Sequence, residues 1–162
     1  MTKMTTAAMA TLLLTLTGCG SGAEPAEQAA QETVTKTTDG YEITLSNVYV
    51  GDSVDETGMV PDAGEGEVYV LITYDLSNSG NAQTSLADWP EVFLLDADGN
   101  EYQRELFAST ALSAVDDPSW AEGLSPGLST TAKAIWKVSE SRFDRNAWRV
   151  KFNSTPELIF EL

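Results

Sequence analysis

Carboxylates are the most numerous reactive side chains in this sequence, and two groups of them have spacings that could do chemistry. The first lies between Gly51 and Glu65, where Asp52, Asp55, Glu56, Asp62 and Glu65 occur with no cation. Oxygen-rich loops can hold calcium, which takes about six to eight oxygen ligands. The plainer reading is a solvated acidic loop, because no Gly follows the carboxylates at the interval an EF-hand needs. The second group is Asp96, Asp98 and Asn100, which mimics the opening of a calcium loop. Gly99 comes too early for that loop, and the position where its closing Glu should stand is Phe107. A hairpin turn accounts for the same residues, since Asp-Gly between extended runs favours one.

Other catalytic chemistry has little to work with. The chain has no His, so the commonest general base and the commonest transition-metal ligand are missing. A Ser nucleophile would need a base, and no Lys is well placed to serve. No two carboxylates sit in a context that marks a glycosidase pair. The single Cys, Cys19, rules out an intrachain disulfide and a Cys-based zinc site. These features point to a protein that is not an enzyme.

Binding is the alternative, and charge limits the partner. Nine Lys and Arg face 25 Asp and Glu, for a formal net charge of −16. Phosphates are repelled at such a charge, which argues against nucleic acid and, for contacts between copies, favours a monomer. Six cations nevertheless gather between Lys133 and Lys151: Lys133, Lys137, Arg142, Arg145, Arg149 and Lys151, with only Glu140 and Asp144 against them. Alternation puts four of them on the outer face of an expected hairpin and Arg142 and Arg145 at its tip. Such a ribbon either balances acidic strands beside it or contacts an anionic partner, a lipid headgroup or an acidic protein face. Trp89 and Trp120, both next to a proline-containing loop, are either binding anchors or plugs at the end of a core.

The elements that must position these residues read as strands. Tyr41, Ile43 and Leu45 alternate with polar residues, and Val48 and Val50 take the opposite phase, which predicts a bulge near Ser46-Asn47. Glu67 to Leu76 is the clearest strand, with Val68, Val70, Ile72, Tyr74 and Leu76 inward and Tyr69 and Leu71 half-buried. Val92 to Leu95 leads through the Asp96 to Asn100 turn into a returning strand, Tyr102 to Phe107. Leu128 to Val138, Trp148 to Phe152 and Leu158 to Leu162 complete the set, with Trp136 and Trp148 in the core. A turn or two of helix fits Ala108 to Val115. Seven or eight short strands with turn signals between them predict an all-β fold, a two-sheet antiparallel β-sandwich, with a small barrel as the alternative.

The amino terminus reads as an address. Lys3 precedes an apolar stretch, Ala7 to Leu16, that is shorter than the ~20 residues a spanning helix needs and matches a signal-peptide core. It ends in Leu16-Thr17-Gly18-Cys19, which resembles the lipobox of bacterial lipoproteins. That resemblance implies cleavage before Cys19, diacylglycerol on its sulfur, often acylation (palmitate) of the new amino group, and an extracytoplasmic, lipid-anchored protein of the cell envelope. Gly20, not Asp, follows the Cys, which implies the outer membrane if the host has two. Stable anchoring needs two or more acyl chains, which this chemistry supplies. The expected organisation is a signal peptide over 1–18, lipidated Cys19 with a flexible tether over 19–39, and a folded domain over 40–162. The tether is too poor in apolar residues to offset its ordering entropy, and Val34 to Thr37 within it could add an edge strand.

The stretch Gly66 to Tyr74 with Asn78 and Gly80, then Phe93 to Tyr102, then Leu124-Ser125-Pro126-Gly127 before Ala134 to Val138, is similar to the "domain of unknown function 4352" group of envelope lipoproteins and secreted immunoprotective antigens. The resemblance covers Gly66 to about Leu162 and implies an immunoglobulin-like sandwich with no catalytic residues. The function expected is a membrane-anchored binding or interaction module, or alternatively a calcium or small-ligand domain using the acidic loops. No cofactor is expected beyond the lipid on Cys19 and, in that alternative, calcium.

Overall fold

Apolar residues at every second position, broken by turns rich in Gly, Asn and Asp, give eight strands and one α-helix among the described residues. The computed structural model describes residues 33–55, 58–116 and 122–162. The expected signal segment, Cys19, Glu56 and Trp120 lie outside them. The strands are β1 (Val34–Thr38), β2 (Tyr41–Gly51), β3 (Glu67–Asn78), β4 (Glu91–Leu95), β5 (Glu101–Gln103), β6 (Ser129–Ser139), β7 (Arg149–Asn153) and β8 (Leu158–Glu161), and α1 is Leu106–Asp116.

They form two four-stranded antiparallel sheets, β1-β2-β3-β6 and β5-β4-β7-β8, packed as a β-sandwich. The inward residues of both sheets make the main core, from Ile43, Val70 and Ile72 on one side to Leu94, Val150 and Phe152 on the other. Trp136 and Trp148 are in it, 1% and 2% exposed. The β2–β3 register shifts between Leu45 and Asn47, so Ser46 is the extra residue of a bulge and the apolar phase changes there. The edge-strand option for Val34 to Thr37 is the conformation found, so the first sheet includes residues ahead of position 40. Thr38 Oγ1 donates to the Thr155 carbonyl at 2.9 Å, and Lys36 lies over the Phe160 ring, which ties β1 to the β8 side of the other sheet.

Asn78 explains one motif physically. It is 1% exposed, and its Nδ2 donates to the Ala82 and Leu124 carbonyls at 2.8 Å each while its Oδ1 accepts from Gly80 N at 2.9 Å. Gly127 N also donates to the Asn78 carbonyl at 2.8 Å. One buried side chain thus laces the turn after β3 to the loop before β6, replacing the bonds those backbones lose by leaving the sheet. Gly123 fits the same lacing: a Cβ there would stand 2.3 Å from the Thr84 carbonyl oxygen.

Three expectations are corrected. β6 and β7 are not a hairpin: β6 pairs with β3 and β7 with β4 and β8, in different sheets. The returning strand stops at Gln103, because Arg104 and Glu105 cross to the first sheet, where Glu105 N donates to the Ile135 carbonyl at 2.7 Å. Leu106 and Phe107 therefore open α1 instead of extending β5. Leu128, expected to face inward, precedes β6 and is 57% exposed.

Candidate functional site

β5 is short, and that opens a cleft. It pairs with β4 only from Phe93 to Leu95, so beyond Gln103 the edge of β4 at Glu91 and Val92 has no strand partner on that side among the described residues. Two hollows lie there. One, of about 190 Å³, is lined by Glu91, Val92, Phe93, Gln103, Arg104 and Leu106. The other, of about 200 Å³, is lined by Tyr74, Leu86, Trp89, Pro90, Glu91 and Arg104 among others. Glu91 and Arg104 belong to both. Leu106, which lines the first hollow, is 65% exposed, and Phe107, the next residue along α1, is 78% exposed. Leu86, on a single 3₁₀ turn over Leu86–Asp88, is 37% exposed.

The polar groups of the cleft are held from below. Tyr74 sits on the inner face of β3, 4% exposed, its ring meeting Phe152 edge-on at 5.0 Å. Burial pushes its hydroxyl pKa up, and the positive charge of Arg104 acts in the opposite sense. Trp89, half-buried, packs against the main core, as a plug would, and also lines the second hollow.

The acidic loop has a structural role. Val60 and Ala63, 4% and 3% exposed, pack on Tyr69, Leu71 and Ile135 together with Ala108 and Leu112 of α1, forming a second core on the outer face of the first sheet. Tyr69 and Leu71 are therefore buried, not half-buried. Asp55 Oδ2 accepts from Met59 N and Val60 N at 2.6 and 3.0 Å, and Ala63 N donates to the Asp52 carbonyl at 2.8 Å, so these residues fold the loop back onto the sheet. Asp52, Asp62 and Glu65 point into solvent. Among the described residues no three such side chains gather as a metal ion would require.

Asp96 heads the hairpin. It is 4% exposed, and its oxygens accept from Asp98 N, Asn100 N, Asn100 Nδ2 and the Tyr102 hydroxyl at 2.9 to 3.2 Å. Those donors, the Asn100 side chain foremost, hold its pKa at about 2. Gly99, at φ +84°, turns the chain. With Arg142 at 3.8 Å as well, the carboxylate is committed to the turn.

The cationic ribbon is split by the topology. Lys133 and Lys137 lie on the first sheet, and Arg149 and Lys151 on the second, whose outer face points the other way. Lys137 pairs with Glu67 at 3.9 Å and lies over the Tyr69 ring. Lys151 bonds to Glu101, sits 3.6 Å from Glu157 and covers Phe93. Arg142 faces Asp96, and Arg145 lies in the exposed segment between the strands. The structure does not bring the six together as one surface.

Sequence reasoning missed Arg104, Glu91 and Tyr74. The available signal was Tyr74 itself, a hydroxyl at an inward position, which calls for a polar partner.

No protein-family model matches the chain. It is 27% identical over 120 residues to the uncharacterized protein YxkC of Bacillus subtilis (strain 168), covering 72% of this chain and 67% of that protein. In shape it is similar to a conserved hypothetical protein of Bacillus anthracis, with TM-score 0.65 and 21% identity over 78% of this chain and 92% of the other. It is also similar to an uncharacterized beta-sandwich protein of Clostridium difficile 630, with TM-score 0.52 and 15% identity over 86% and 99%. These likenesses carry the β-sandwich fold.

Proposed function

We propose that this chain is a lipid-anchored, non-enzymatic binding module of a bacterial cell envelope, and that its contact surface is the edge where β5 leaves the second sheet. The observation that carries the reading is the 65% exposure of Leu106 where it lines a cleft with Glu91 and Arg104, followed in the chain by Phe107 at 78%. Large apolar side chains kept in water next to a hollow with a few polar groups mark contact sites. The anchor rests on the Leu16-Thr17-Gly18-Cys19 resemblance. The Asn78 and Gly127 lacing gives the motifs shared with the "domain of unknown function 4352" lipoproteins a physical reason, which supports placing the chain among them.

Expression of the full chain in a bacterial host, followed by membrane fractionation, tests the anchor. The parent should sediment with membranes, and Cys19→Ser should appear in the soluble fraction or keep its signal segment uncut. Equal membrane recovery of both would contradict lipid anchoring. The contact edge is tested with Phe107→Ser joined to Leu106→Ser. The double variant should unfold like the parent, since both side chains are exposed, yet lose envelope partners retained by the parent. Unchanged retention would contradict the assigned surface.

A further inference from the structure

The hollow that Trp89 helps to line contains two polar groups that make no hydrogen bond or ion pair with any described residue. Tyr74 is 4% exposed as a whole residue, with its hydroxyl end open to the hollow. Its hydroxyl makes no hydrogen bond with any described residue, and it lines the hollow. Arg104 is half-buried and carries five N–H donors in a planar fork. It makes no ion pair or side-chain hydrogen bond among the described residues, in a chain where carboxylates outnumber cations 25 to 9. Glu91 shares both hollows with Arg104 but is not paired with it.

We propose that this hollow binds a monocarboxylate carried on a small apolar group, with the carboxylate accepting from the Arg104 guanidinium and the Tyr74 hydroxyl. The proposal rests on reading this edge as the contact surface and names what it takes. Four features define the ligand. A guanidinium fork matches a carboxylate in two parallel bonds. Leu86, Trp89 and Pro90 line the same hollow and would flank the rest of a small ligand within a mainly polar surface. Glu91 at the rim and the net charge of −16 disfavour a second negative charge, which excludes polyanions. The volume of about 200 Å³ is below that of sites enclosing drug-sized molecules, so it admits a group about the size of one amino acid. A free small acid and the carboxyl end of a peptide share this chemistry.

Calorimetric titration of the full chain carrying Cys19→Ser, with N-acetyl-L-leucine and with L-leucinamide, tests it. N-acetyl-L-leucine should bind saturably with Kd of about 1 mM or tighter. Leucinamide, which lacks the carboxylate, should bind at least about tenfold more weakly, because it offers the Arg104 fork no anionic acceptor. Arg104→Gln should weaken N-acetyl-L-leucine about tenfold or more, and Tyr74→Phe about fivefold. Tyr74→Phe keeps the ring contact with Phe152, and its urea unfolding curve checks that the fold is retained. Glu161→Gln, on β8 at the opposite edge of the second sheet from β5, should change nothing. A leucine-ended peptide that binds more tightly than N-acetyl-L-leucine, and loses the gain when amidated, assigns the site to peptide ends. No such gain assigns it to free acids. No saturable binding at ten times the expected Kd, equal binding of leucinamide, or an unaffected Arg104→Gln would each overturn the proposal. Loss of the carboxylate site with partner retention through Phe107 intact removes this inference alone, and the converse removes only the contact edge.

Discussion

On the outer face of the first sheet, Tyr69, Leu71 and Ile135 lie buried under α1 and under Val60 and Ala63. On the outer face of the second, Phe93, Arg149, Lys151 and Ile159 are half-buried, and Lys151 lies across the Phe93 ring with Glu101 and Glu157 about it. One face is finished by an apolar lid and the other by the stems and charges of its own side chains. The residue types account for the difference. β6 places Ile135 between Lys133 and Lys137 on its outward side, whereas β7 places Arg149, Lys151 and Asn153 there. The chain passes between the two faces at Arg104, so the cleft lies on the seam.

The lid also protects an edge. β6 borders the first sheet, and an open strand edge invites pairing with other chains. Two buried serines on α1 accept its outward amides: Ser109 Oγ from Ile135 N at 3.0 Å and Ser113 Oγ from Lys133 N at 2.9 Å. They sit one turn apart on the face that carries Ala108 and Leu112, so packing and edge satisfaction are achieved by the same helical stripe.

The largest expected effect lies under the lid. Leu112→Ala should cost about 3 kcal/mol in urea unfolding, as a buried Leu truncation leaving a cavity. A cost below about 1 kcal/mol would mean the second core is a weak overlay. Ser109→Ala should cost about 2 kcal/mol, because the Ile135 amide then stays buried and unbonded. The second face should respond to protons and salt instead. Asp96 has its pKa lowered from 3.8 to about 2 in the fold, so the stability it contributes is present above pH 3.8 and is lost as pH falls through about 2. Asp96→Asn should therefore flatten acid unfolding across that window, measured as unfolding midpoint against pH; an unchanged slope would remove Asp96 as the cause. The smallest effect is expected at Lys151→Ala, about 1 kcal/mol or less and diminished by salt, as exposed ion pairs behave. A salt-independent loss as large as that at Leu112 would erase the contrast between the faces.

Strand positions were legible because a half-buried strand must alternate, and the phase change at Ser46 marked its own bulge. Turn chemistry placed the Asp96 hairpin for the same local reason. What the sequence did not disclose is pairing between distant strands. Lys133 to Lys151 has the spacing of a hairpin, yet β6 and β7 part into different sheets, since β3 and β4 offer each its own partner. The exit of the chain at Arg104 was equally hidden, because Tyr102 to Phe107 alternates well enough to pass for a strand. Outward apolar residues at Tyr69, Leu71 and Ile135 were a usable sign that a cover was needed. The cleft combines residues from β3, β4, the Leu86 turn and the crossing at Arg104, and no local pattern links them.

Photo-crosslinking in living cells tests the contact edge most directly, with a benzoyl-phenylalanine placed at position 107 and, separately, at position 161 on β8, at the opposite edge of the second sheet. A discrete adduct from 107 and none from 161 is the expected result. No adduct from 107, or the same adduct from both positions, would contradict the assignment of that edge as the binding surface.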